Sequence, residues 1–109
     1  MANQLLKPIF KKRLQVLVVA AICCLAACET APPVQEMSDA RQAIAVAKEA
    51  GAADLAAFHL QAAEKYLASA EQSLGRKAYN QARRDANHAK MKALDALKAA
   101  ENGRESDNN

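Results

Sequence analysis

The sequence predicts an all-α fold: a short helix followed by a long antiparallel helical hairpin, three-helix bundle-like, set behind an N-terminal leader. Two features of composition and one of spacing predict it. Beyond residue 27, alanine supplies about a quarter of the chain and Glu, Lys, Leu and Arg much of the rest, the mixture of long, closely packed helices. Val34, Ile44 and Val46 are nearly all of the β-branched residues there, too few for a sheet. Apolar residues recur by threes and fours, the period of a helix buried along one side.

The leader is organised by charge. Lys7, Lys11, Lys12 and Arg13 make a positive start, and Leu14 to Cys24 is apolar except for Gln15. Leu25-Ala26-Ala27-Cys28 then closes the run on small residues. Charge, apolar core and small-residue cleavage site, in that order, make residues 1–27 read as a signal peptide. An uncleaved membrane anchor is the competing reading, but the apolar run falls short of the ~20 residues that a span requires.

The tetrapeptide ending at Cys28 resembles the lipobox of bacterial lipoproteins. That resemblance implies cleavage between Ala27 and Cys28, a diacylglycerol on the Cys28 sulfur and an N-acyl chain on its amine. The chemistry needs a cysteine because a thiolate is the nucleophile that takes the lipid. Two or three acyl chains, at ~0.8 kcal/mol per buried CH2, hold a small protein firmly on a bilayer. Under the sorting rule of enteric lipoproteins, Glu29 rather than Asp after the cysteine implies the periplasmic face of the outer membrane.

Residues 28–37 read as a lipidated tether. Pro32-Pro33 forbids helix and favours an extended spacer, lifting the rest of the chain by at most ~25 Å at ~3 Å per residue. An alanine-rich helical domain follows over residues 38–102. Ser38 is the expected N-cap of its first helix, with Asp39 in the first turn suiting the positive end of the helix dipole. Met37, Ala40, Ile44 and Ala47 form its apolar stripe, and Gly51 supplies a left-handed end.

The second helix is expected from Asp54, as its cap, to Leu74. Its seam is Leu60, Ala63, Leu67, Ala70 and Leu74, broadened by Leu55, Phe58, Ala62 and Tyr66, and Gly75 stops it. Arg76-Lys77 fill the turn. The third helix is expected from Ala78 to Glu101, with Tyr79, Ala82, Ala86, Ala89, Ala93, Ala96 and Ala100 in unbroken 4/3 spacing. An alanine seam lets two backbones approach closely. Asn102-Gly103 ends that helix, and residues 103–109 read as a disordered polar tail. Phe58, Tyr66 and Tyr79 are expected in the core or capping the hairpin. Exposed together, Phe58 and Tyr66 would instead mark a protein-binding patch.

The formal charge of +3 belongs to the leader, which holds four of the fifteen basic residues; the other eleven face twelve acidic ones, leaving −1. Such a balance calls for no nucleic acid. The lipobox resemblance implies that Cys23 and Cys24 leave with the leader and that Cys28 becomes a thioether, so disulfides, thiol catalysis and a cysteine metal site are not expected. Residues 36–71 are mostly acidic and 76–98 mostly basic, which favours the antiparallel hairpin of the second and third helices, where the opposite fields meet.

Gly75, Tyr79, Ala82, Ala86 and Ala89 resemble the turn and second helix of a tetratricopeptide hairpin, although Ser69, Ala70 and Ser73 depart from its first helix. A wider resemblance covers nearly all residues after the leader. Pro32-Pro33, Ser38-Asp39-Ala40-Arg41-Gln42-Ala43-Ile44-Ala45, Ala47-Lys48-Glu49-Ala50-Gly51-Ala52 and Lys98-Ala99-Ala100 look like a family of small alanine-rich bacterial envelope lipoproteins of unknown function. Some members continue into a peptidoglycan-binding domain. The resemblance implies fold and compartment and carries over no catalytic residue.

Chemistry-bearing residues are sparse. His59 and His88 lie on different expected helices and would meet across the hairpin with Glu64 or Asp85 only as an isolated metal site; no His-x3-His pair supports one, so no metal is expected. Asp54, Glu64, Glu71, Asp85 and Asp95 read as caps or solvated charges, and Ser38, Ser69, Ser73 and Ser106 lack a partnered base. No glycine-rich phosphate loop occurs. The expectation is no enzyme and no cofactor other than the covalent lipid. Arg76, Arg83 and Lys90 recur every seven residues with Arg84 and Lys92 beside them. This row is either a face paired to the acidic first half or a contact for peptidoglycan, another anionic polymer or an acidic partner. Covalent peptidoglycan linkage of the murein-lipoprotein kind uses a C-terminal lysine and is not expected of Asp107-Asn108-Asn109. The partners expected are therefore a membrane, through the lipid, and an envelope protein or peptidoglycan. Self-association to complete a thin core stays open.

Overall fold

The computed structural model describes residues 2–27 and 31–109. The fold is all-α: five helices in chain order, and no strand among the described residues. The chain divides into two units, Met1–Ala31 and Pro32–Asn109. The first contains α1 (Ala2–Ala27), with Pro8 inside it and the described apolar side chains Ile9, Phe10, Leu14, Val16, Leu17, Val18, Val19 and Ile22 all more than half exposed.

The second unit opens with α2 (Val34–Glu49), five residues earlier than a cap at Ser38 predicts. Pro33 is its N-cap, and its carbonyl accepts the first helical bond from the Met37 N–H at 3.0 Å. A proline is tolerated at a helix start because the hydrogen it lacks is not used there. Burial fixes the start: Pro33 and Met37 are among the largest fully buried side chains, whereas Ser38 is exposed. The tether thus ends near Pro33 instead of residue 37. Met37, Ala40, Ile44 and Ala47 are all buried, as their spacing predicts.

Gly51 ends α2 with φ +88°, and its N–H bonds the Lys48 carbonyl at 3.0 Å. The next stretch departs from expectation. Asp54 caps nothing; it lies inside a single turn, α3 (Ala52–Leu55), and the chain breaks at Ala56 (φ −147°) before α4 (Ala57–Gly75) begins. Ala52, Ala56 and Leu60 are buried across this break, whereas Leu55 and Phe58, expected to broaden the seam, are exposed.

Gly75 is the last residue of α4 rather than its stop. The left-handed position falls two residues later, on Lys77 at φ +59°. Ala78 N–H bonds Ser73 O at 2.9 Å and Lys77 N–H bonds Leu74 O at 3.0 Å, the paired bonds of a Schellman ending with lysine where glycine is usual.

α5 (Tyr79–Asp107) runs through Asn102-Gly103, so the expected tail is helical to Asp107. Two tertiary contacts hold the extra turns. Leu55 lies against Gly103, where a Cβ would stand 3.4 Å from Leu55 Cδ2, and the Arg104 guanidinium donates to the Ala50 carbonyl at 2.7 Å.

Cross-helix pairs give the bundle its direction. Glu36–Arg83, Asp39–Lys90 and Ala50–Arg104 advance together, so α2 and α5 are parallel. Arg41–Glu71 and Lys48–Glu64 run oppositely, as do Ser69–Asp85 and Tyr66–His88, so α4 is antiparallel to both. Ala82, Ala86, Ala89, Ala93, Ala96 and Ala100 have no exposed surface and form the spine of the core. Ile44, Leu60 and Met37 supply its larger side chains. Phe58 is not core: it is 81% exposed, and Tyr66 is at the surface while Tyr79 is half-buried.

Candidate functional site

The residues with the clearest predicted chemistry, Cys28 and Glu29, lie outside the described residues, and Ala27 is described only as the last residue of α1. Upstream, Lys11, Lys12 and Arg13 are exposed, and the stems of Lys12 and Arg13 join Ile9, Val16 and Leu17 in a shallow apolar surface on α1. Among the described residues, no helix is long and apolar enough to cross a membrane.

The basic row does not form one face. Arg83 Nε reaches Glu36 at 3.1 Å and its Nη1 donates to Asn80, and Lys90 Nζ reaches Asp39 at 3.4 Å. Both therefore turn toward α2. Arg84 donates to Gln81 at 2.7 Å, and Lys92 stands 3.8 Å from Asp95 on the same helix. Arg76 sits apart, exposed in the turn before α5. The acidic partners come mostly from α2, whereas the half-and-half charge pattern pointed to the α4–α5 hairpin; helix parallelism, not hairpin pairing, brings these charges together.

The hairpin instead holds a polar cluster that the sequence reading missed. Asp85, expected on a solvated face, is 5% exposed. Its carboxylate accepts from Ser69 Oγ at 2.8 Å and from Gln81 Nε2 at 2.9 Å. Ser73, 1% exposed, has no hydrogen-bond partner for its Oγ among the described residues. A signal existed: Ser69 and Ser73 before the turn, and Gln81 and Asp85 after it, are i,i+4 pairs placed symmetrically about Lys77. An antiparallel hairpin must bring such pairs face to face.

The cluster has the parts of a hydrogen-bond lock and not of a nucleophile. No imidazole touches Ser69: His88 packs edge-on against Tyr66 at 5.1 Å, and His59 does so against Phe58 at 5.7 Å. The two histidines thus sit with separate aromatic partners instead of meeting. Among the described residues, no three His, Cys, Asp or Glu side chains are grouped to hold a metal. A shallow groove of about 260 Å³ between α2 and α5 is lined by Asp39, Gln42, Ala43, Val46, Lys90 and Leu94. Its chemistry is two aliphatic walls beside one ion pair, suited to packing.

No family model matches the chain, and no curated protein or solved structure matches it either.

Proposed function

We propose that this protein is a lipoprotein of the bacterial cell envelope, anchored through acyl chains on Cys28 at the periplasmic face of the outer membrane. Its helical domain serves there as a non-enzymatic structural or protein-interaction module. The observation that carries the reading is the order of Lys7 to Arg13, the apolar run and Leu25-Ala26-Ala27-Cys28. The unit boundary supports it: Pro32–Asn109 is compact without any residue from the leader, so a cut before Cys28 leaves the bundle whole. Phe58, Met91, Leu94 and Val46 are exposed apolar side chains on that bundle and support a role in contacts with other proteins.

The test is mass spectrometry of the protein from the envelope of a lipoprotein-processing bacterium. The expected N-terminal peptide begins at Cys28 and carries two or three acyl chains, and Cys28→Ala abolishes both acylation and cleavage. Recovery of peptides from residues 1–27 in the mature membrane fraction overturns the reading. Crosslinking in cells then identifies the partner that defines the module's role.

A further inference from the structure

We infer that the end of the bundle carrying Arg76 and Lys77 rests on anionic phospholipid headgroups, so that the domain stands upright on the membrane; this rests on the lipid anchor at Cys28. The first support is tether length. With α2 beginning at Val34 and Pro33 already buried, the path from Cys28 to Pro33 spans at most about 17 Å fully extended. The end of the bundle where α2 starts is therefore the one held beside the bilayer. Parallel α2 and α5 with antiparallel α4 bring the 75–78 turn to that same end.

Charge is the second support, and it is divided between the two ends. At the tethered end Arg76 and Lys77 are exposed, and the first turn of α5 contains no acid. The one acid in the first turn of α2, Glu36, is taken by Arg83. The opposite end gathers the acids Glu49, Asp54, Glu101, Glu105 and Asp107 against the cations Lys98 and Arg104, leaving an acidic excess there. A negatively charged leaflet attracts the first end and repels the second. Val34, 71% exposed beside the tether, adds an apolar contact at the interface.

The chain has no tryptophan, so one introduced at either end reports cleanly. Val34→Trp and Asn102→Trp would each be made in the acylated protein and mixed with vesicles of brominated phosphatidylcholine. The vesicles are prepared with and without about 30% phosphatidylglycerol, which supplies an anionic surface. Flotation and the mass of the Cys28 peptide are recorded alongside. The expected result is strong quenching at residue 34, little at residue 102, and a larger difference when phosphatidylglycerol is present. Arg76→Gln with Lys77→Gln lowers the upright population on the order of tenfold, as does salt at about 0.5 M, where charges are screened within a few ångströms. Circular dichroism verifies that each variant is folded. Flotation with equal quenching at both ends, or quenching indifferent to Arg76 and Lys77, overturns this inference alone. A bare Cys28 sulfur and no flotation overturn the anchor and this inference together.

Discussion

Ser69 Oγ donates to Asp85 Oδ2 across the α4–α5 hairpin at 2.8 Å, and this bond gives the alanine seam its register. Alanines repeat so regularly along α5 that a slip of one repeat would still bury methyl groups against α4. Ser69, on α4, meets the buried Asp85 carboxylate only in the observed register, while Gln81, one turn before Asp85 on α5, supplies a second neutral donor from the same helix. Ser69→Ala is expected to cost about 1–3 kcal/mol by urea denaturation, the range for leaving a buried acceptor short of a partner. Combined with Asp85→Ala, the two losses should fall short of additivity by about 0.5 kcal/mol or more. Strict additivity would show that the pair does not act as a unit.

The turn offers a change in the stabilising direction. Lys77 holds a left-handed backbone at φ +59°, which side chains with a Cβ adopt at a cost and glycine does not. Lys77→Gly should raise stability by about 1 kcal/mol and keep the bonds to Leu74 and Ser73. Gly51→Ala should do the opposite by a similar amount: a new Cβ has room, 3.8 Å from Leu55, but φ +88° disfavours it. Thermal melts of both variants check the sign.

Much of the fold was legible in the sequence because one face of each helix is written in repeats of three and four. Met37, Ala40, Ile44 and Ala47, then Leu60, Ala63 and Ala70, and the alanine spine of α5 are buried as that rhythm requires, with Leu67 and Leu74 partly covered. What was not legible depends on partners distant in sequence. Helix starts went wrong at Ser38 because burial of Pro33 outweighs a good side-chain cap. The α5 end went wrong at Gly103 because Leu55 and Arg104 add contacts that local propensity omits. Of the candidate site, the basic residues were visible but their orientation was not, since it depends on α2 lying parallel to α5. The segment ending at Cys28 is the reverse case, legible as a lipobox-like motif and lying outside the described residues.

Phe58 illustrates a position where hydrophobicity alone misleads. It is 81% exposed, whereas Leu60, two residues on, is 5% exposed. Phe58→Ser is therefore expected to change stability by less than about 0.5 kcal/mol, and Leu60→Ala to cost about 2–5 kcal/mol. Chemical denaturation separates these readily. A large loss at Phe58 would mean that the side chain is covered, as it would be in a self-associated state, and sedimentation of the same samples would reveal that state.

The spine of α5 should be intolerant of added volume. Ala86 and Ala93 have no exposed surface, and each is packed within a buried cluster. Leucine at either place must push a neighbouring helix away, at a cost of about 1–3 kcal/mol or more. Ala57, exposed on α4, provides the control: Ala57→Leu adds the same volume facing solvent and should be close to neutral in the same denaturation measurement.

The basic row provides a way to tell an internally paired face from a polymer-binding one. Arg83 and Lys90 are paired with Glu36 and Asp39 across α2 and α5, and both pairs are partly exposed. Arg83→Gln and Lys90→Gln should each cost about 0.2–1 kcal/mol, with the loss shrinking at high salt as screening weakens the wild-type pairs. If this pairing is their whole role, co-sedimentation with purified peptidoglycan sacculi will be the same for wild type and for the double variant at every salt concentration. A polymer contact would give the reverse pattern: wild-type protein in the pellet at low salt, released as salt rises, and the double variant in the supernatant throughout. The geometry favours the first outcome, because a guanidinium already seated 3.1 Å from a carboxylate must break that pair before it can grip another anion.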